Sequence, residues 1–335
     1  MVRFQFRISK LPNFFFFVSN LSEWNPYCRK EYNREWLKRK PLQQNEKEAL
    51  KNVRNIFQKH GTLNRCFFRP EREAWRSAAR ELSKQEYEIL RVSFSVFLPR
   101  FSVLWEKEKN NLQSIAAAFS KTPPPVGKAL KTLYALYAPH RKSGVISVFL
   151  LTSPITKRIV NGGGKITSKT LALECSKITA KNNSHNLFAR VLLHETIHTT
   201  FEDRIKGTIA TYLKTKDFSS IKRELMQSTA YHEACSFLGP IKEMIAVSLL
   251  PEGYLAERYF SANVRRNLLQ RKSVREHRLK HTYYDFMLFA IWELYPLARE
   301  YCEQQRSIDT RYIRETVDTW RRFNQTNLSR WILEK

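Results

Sequence analysis

The sequence predicts an α+β protein that is predominantly helical. Three observations carry that reading. Apolar residues recur at helical spacing through most of the chain, and only two short β-rich runs interrupt them. Hydrophobic residues make up 42% and aromatics 13% of 335 residues, enough to build a large core. Only 9 Gly and 13 Pro exclude collagen-like and low-complexity architectures.

The elements follow in order. Arg3, Arg7 and Lys10 precede the run Phe14-Phe15-Phe16-Phe17-Val18, a loose imitation of a signal peptide. Pro12 and Asn13 interrupt it and no small-residue cleavage site follows, so a buried helix or strand is expected. Residues 45–58 place Ala49, Val53, Ile56 and Phe57 on one helical face, with Gly61 as the stop. Ser83 and Glu86 form a capping-box pair that opens a helix towards Phe119, broken or kinked at Pro99. Arg91, Pro99 and Arg100 interrupt the apolar stretch 90–105, so no membrane span is expected there.

Pro123-Pro124-Pro125 reads as a linker. Val126, Leu130, Leu133 and Tyr137 then repeat at helical spacing up to Pro139. Residues 145–151, between Gly144 and Pro154, read as a buried strand. A second strand is expected over 166–175, after Gly162-Gly163-Gly164. Residues 187–203 return to the helical pattern. Further helices follow over 222–238, from Pro240 to before Pro251, over 283–302 and over 308–323. The expected organisation is an N-terminal helical region (1–122), a core (123–260) and a C-terminal helical subdomain (261–335).

Five cysteines are scattered and form no CxxC pair, which argues against a disulfide framework or a cysteine-based zinc site. A reducing compartment and a cytoplasmic location are expected. The formal net charge of +27 admits a polyanion binder, a membrane-surface protein or an enzyme for acidic substrates, and does not choose among them.

One motif is sharper: His194-Glu195-Thr196-Ile197-His198. Histidines at i and i+4 on a helix project from one face, the spacing that lets two imidazoles grip one zinc ion. The adjacent Glu195 is then placed to act as general base on a water activated by that ion. Leu187, Phe188, Val191 and Leu192 give the helix an apolar back.

The order of elements is helix, strand, Gly-rich turn, strand, then HExxH helix. With the motif, over roughly residues 126–260, it resembles the zincin metallopeptidases. The resemblance implies a zincin-like core: a small sheet over the active-site helix, with an edge strand, here the second one, that pairs with an extended peptide. The metzincin extension is missing, because residues 199–205 carry neither the Gly nor the His it needs. No histidine lies between His198 and His232. A gluzincin-like arrangement takes its third ligand from a later Glu. Glu243 projects from an apolar face beside Ala246 and Val247, and the segment 242–260 looks like the Glu-bearing helix, so it ranks first. Glu233, Glu252 and His232 remain alternatives. Glu202, four residues after His198, is a candidate to orient that imidazole. Tyr231, His232, Tyr254 and Tyr259 are candidate oxyanion donors.

The expected function is a zinc-dependent metallopeptidase acting on a peptide or protein substrate, with His194, His198 and Glu243 on Zn2+ and Glu195 as general base. The alternative is a basic protein that binds nucleic acid or an anionic surface and carries a vestigial or structural zinc site. Its candidate contacts are Arg34, Lys38, Arg39 and Lys40, and the run Arg258, Arg265, Arg266, Arg271, Lys272, Arg275, Arg278 and Lys280.

Overall fold

The computed structural model describes residues 2–38, 40–138, 144–155, 162–176, 185–270 and 281–333. It is predominantly helical with one small mixed sheet, as the apolar spacing requires. The chain divides into two compact units, and neither is a continuous segment. One gathers Arg3–Lys121 and Val145–Phe188; the other gathers Met1–Val2, Thr122–Gly144 and Ala189–Lys335.

Among the described residues, the first unit holds the sheet, save Val2 and Gly144, and five complete α-helices. Strands β1 (Val2–Arg7), β2 (Gly144–Thr152), β3 (Gly163–Thr167) and β4 (Thr170–Cys175) lie in the order β1-β2-β4-β3. β2 runs parallel to β4, with Val148 opposite Leu171 and Leu150 opposite Leu173. β3 runs antiparallel to β4. The run 166–175, expected as one strand, is therefore the end of β3, a tight turn and the whole of β4. Lys169 N–H donates to Thr167 Oγ1 (3.2 Å) across that turn, a local bond that outweighs the β pattern of the flanking residues. β4, within the stretch expected to form the edge, lies inside the sheet, and the edges are β3 and β1.

The helices are α1 (Lys10–Ser22), α2 (Lys30–Leu37), α3 (Gln44–Lys59), α4 (Glu71–Glu81) and α5 (Lys84–Ala118). The N-terminal phenylalanine run is core. Phe14 stacks on Phe101 (4.9 Å between centroids) and Phe15 on Phe67 (4.5 Å). The Ser83–Glu86 capping box forms. α5 continues through Pro99 without breaking, because its other face is anchored by buried Phe94, Phe97 and Phe101, while Pro99 itself is exposed.

Asn13 is fully buried on α1. Its amide donates to Ser9 O (2.9 Å) and Leu150 O (2.9 Å), and its carbonyl accepts from Thr152 N–H (2.7 Å). The side chain thus serves β2 as a strand neighbour would. Glu46 at the start of α3 is also buried and pairs with Arg100 on α5 at 2.7 Å.

Among the described residues, the regular structure of the second unit is helical apart from Val2 and Gly144, which belong to strands. It contains α6 (Pro124–Tyr137), most of α7 (His185–Thr196), α8 (Glu202–Tyr212), α9 (Lys216–Met226), α10 (Thr229–Ala234), α11 (Leu238–Leu249), α12 (Tyr254–Phe260) and α13 (Val264–Leu269). Beyond residue 280 come α14 (Tyr283–Glu303), α15 (Thr310–Gln325) and α16 (Leu328–Leu333). α11 is apolar almost all round and packs against α14 and α15, so it forms the spine of this unit. Among the described residues, no helix is long and apolar enough to cross a membrane.

Replacing Asn13 by Leu leaves the Thr152 amide buried without an acceptor. Urea unfolding should show a loss of about 1–3 kcal/mol. An unchanged midpoint would show that the strand end does not need this side chain.

Candidate metal centre

The centre lies wholly within the second unit. α7 runs directly into a π-helical turn, Ile197–Phe201, and then into α8. Two threonines bend the ladder there: Thr196 Oγ1 donates to Leu192 O (2.7 Å) and Thr199 Oγ1 to Glu195 O (2.8 Å). Phe201, at the end of the turn, is buried against the rings of Tyr134 and Tyr137 on α6 (5.2 and 5.7 Å). The wide turn is therefore packed in place, with His198 upon it.

The two imidazoles lie edge to face, with ring centroids 4.5 Å apart. Their Nε2 atoms are 3.0 Å from each other. Glu243, from α11, places one carboxylate oxygen 3.5 Å from His194 Nε2 and the other 3.2 Å from His198 Nε2. Their outer nitrogens are occupied. His194 Nδ1 lies 2.8 Å from Leu250 O, which can only accept, so Nδ1 carries the proton. His198 Nδ1 meets the carboxylate of Glu202. Glu202 is buried and also holds Lys242 Nζ at 2.5 Å.

In this tautomer both Nε2 atoms present lone pairs to one another and to a carboxylate. Lone pairs crowded together in this way repel unless a positive charge sits among them. Without an ion, a second proton on His198 answers this demand: burial opposes its protonation, yet Glu202 and Glu243 raise its pKa to about 10. The carboxyls respond in kind. Burial would raise Glu243, but the two histidines hold it far below the usual carboxylate range. Burial would likewise raise Glu202, but His198 and Lys242 hold it low.

The spacing fits a tetrahedral ion. Zinc–nitrogen and zinc–oxygen bonds of about 2.1 Å place neighbouring ligand atoms about 3.4 Å apart. The observed separations of 3.0, 3.2 and 3.5 Å, the last two to different oxygens of Glu243, lie around that edge. His194, His198 and Glu243 form a group that could hold a metal ion. Both histidines already carry a partner on the outer nitrogen, as ligating imidazoles do. Their side chains retain 12% and 18% exposure and Glu243 retains 28%, so the centre is reachable from solvent rather than sealed.

Glu195 is electrostatically coupled to the cluster. Burial raises its carboxyl above the ordinary value, the histidines pull it down, and Glu243 and Glu202 push it up. Other candidates are not brought here. Glu233 and His232 are exposed on α10, and neither they nor Glu252 join the group. Tyr231 packs on Phe237 (4.8 Å). Tyr254 bonds Glu303 (3.0 Å), and Tyr259 bonds Thr132 (2.8 Å). Sequence reasoning did not find Lys242 or the Leu250 carbonyl. The second has no side-chain signal at all.

Of the basic residues, Arg34, Lys38 and Lys40 are exposed on or just after α2. Arg258 lies over the rings of Tyr254 (5.7 Å) and Tyr259 (5.4 Å). Arg39, Arg271, Lys272, Arg275, Arg278 and Lys280 fall outside the described residues.

No family model matches the chain, and neither a curated protein nor a solved structure matches it.

Chelator-stripped protein should take up one equivalent of zinc, and His194→Ala should abolish uptake. Glu202→Ala should weaken zinc binding about 10–100-fold in competition with a fluorescent chelator, since an orienting carboxylate is lost. Wild-type affinity in that variant would remove Glu202 from the site.

Proposed function

We propose that this chain is a zinc-dependent metallopeptidase of gluzincin-like type, with His194, His198 and Glu243 holding the ion and Glu195 as general base. The observation that carries the reading is the convergence of two Nε2 atoms and one carboxylate within 3.5 Å, with half-buried Glu195 electrostatically coupled to them. Bound in such a site, zinc supplies a Lewis acid that polarises a carbonyl and lowers the pKa of water.

The chain's own residues supply the rest. Three protein donors leave one position of a tetrahedron unfilled, the arrangement of catalytic rather than structural sites. Glu195 stands next to His194 in sequence, and burial makes its carboxylate more basic than a solvated one. Its carboxylate takes the proton of the attacking water and passes it to the leaving amine nitrogen. Glu202, neutralised by Lys242, keeps the proton of His198 on Nδ1 and leaves Nε2 free. His194 is fixed in the same way by Leu250 O. A zincin-like core is the fold this reading implies. Its support is the HETIH segment and the Glu243 helix, two elements that meet as the zincin resemblance implies.

Glu195→Gln should bind zinc at wild-type stoichiometry, yet lose about 10²–10⁴-fold in the cleavage of a synthetic peptide library read by mass spectrometry. Full activity in that variant would take Glu195 out of the mechanism. A wild-type protein that binds no zinc would end the reading altogether.

A further inference from the structure

Arg190 stands one helical turn before His194 on the same face of α7. Its Nη1 donates to Pro251 O (3.1 Å), while His194 Nδ1 donates to the neighbouring carbonyl, Leu250 O (2.8 Å). The guanidinium therefore sits beside the outer edge of a ligand imidazole. Its Nε is buried and has no hydrogen-bond partner. Among the described residues no carboxylate pairs with it.

The nearby acids are committed elsewhere. Glu243 faces the two histidines, and Glu202 is shared by His198 and Lys242. Burial lowers the Arg190 pKa, and no acid counters that effect. A guanidinium stays charged at any physiological pH. The molecule thus keeps a partly buried cation, with its Nε idle and no carboxylate partner among the described residues, next to a cluster that could hold a metal. Burying a cation is unfavourable until a carboxylate answers it. The planar fork matches a carboxylate in particular.

We propose that Arg190 is a specificity-determining residue of this centre, recognising a peptide substrate through a carboxylate close to the scissile bond. The carboxylate comes from an acidic side chain or from the peptide's own C-terminus; the chemistry is shared. The proposal rests on the metallopeptidase reading above, and the test separates the two.

Three probes share a malonyl-hydroxamate head, which chelates zinc, and differ in the attached residue. Glycinamide is neutral, glycine brings a terminal carboxylate, and glutamic acid α-amide brings a side-chain carboxylate alone. Binding is measured by calorimetry on the full chain loaded with one equivalent of zinc. At least one carboxylate probe should bind about 10-fold or more tightly than the neutral probe, as charge-assisted hydrogen bonds imply. Arg190→Met should cancel that advantage and leave the neutral probe's affinity within about twofold; Arg190→Lys should keep part of it. Which carboxylate gains identifies the source. Equal affinities for all three probes in wild type, or an advantage that survives Arg190→Met, would overturn the role of Arg190 alone. If no probe binds the zinc-treated wild type, the metal reading falls and this proposal with it. Thermal unfolding guards against a folding artefact: Arg190→Met breaks no ion pair and loses one hydrogen bond, to Pro251 O, so it should still melt in a single cooperative transition close to that of wild type.

Discussion

Two imidazole nitrogens and a carboxylate within 3.5 Å of one another require a positive charge in their midst. That requirement organises the second unit. Glu243 is held by α11, the most completely buried helix of the unit, so its position is not free to relax away from the histidines. Removing a buried carboxylate from water is unfavourable unless cations or donors answer it. Here two residues of α11 divide the work, since Glu243 faces the histidines and its neighbour Lys242 answers Glu202.

The π turn is the second half of the arrangement. A regular helix would place two histidines on one face, and it would do so on any amphipathic surface. What distinguishes this segment is that its ladder is opened by threonine hydroxyls and then clamped by Tyr134, Tyr137 and Phe201. The turn that carries His198 is set by tertiary packing, and Glu202 follows it at the start of α8. Such irregular turns persist where their surroundings hold them and are frequent at functional sites.

Much of this was legible in the sequence because it is local. The i, i+4 spacing of His194 and His198, and of His198 and Glu202, follows from helix geometry alone. Glu243 could be ranked first because a carboxylate among Ala246 and Val247 needs a partner. The capping box at Ser83 and the buried phenylalanine run were equally local signals. What could not be read was tertiary or borne by the backbone. Lys242 looks like one more surface lysine until Glu202 is placed beside it. Leu250 contributes only its carbonyl. The hairpin within 163–175 was hidden because Thr167, Ser168, Lys169 and Thr170 all fit a strand pattern. Pro99 signalled a break, and the packing of the opposite helix face overruled it. The +27 charge, the most conspicuous compositional feature, places none of the residues of the centre.

The ligands come from two stretches of chain far apart in sequence, the end of α7 with its π turn and α11, with α8, α9 and α10 strung between them. An ion shared by His198 and Glu243 would therefore act as a cross-link as well as a reagent. It would close the intervening segment into a loop and deny the unfolded chain much of its freedom, as a disulfide does. A chain whose cysteines are all free thiols has no such staple of its own. The integrity of those three helices would then follow the supply of metal, and the same ion would set both the reactivity of the protein and its lifetime.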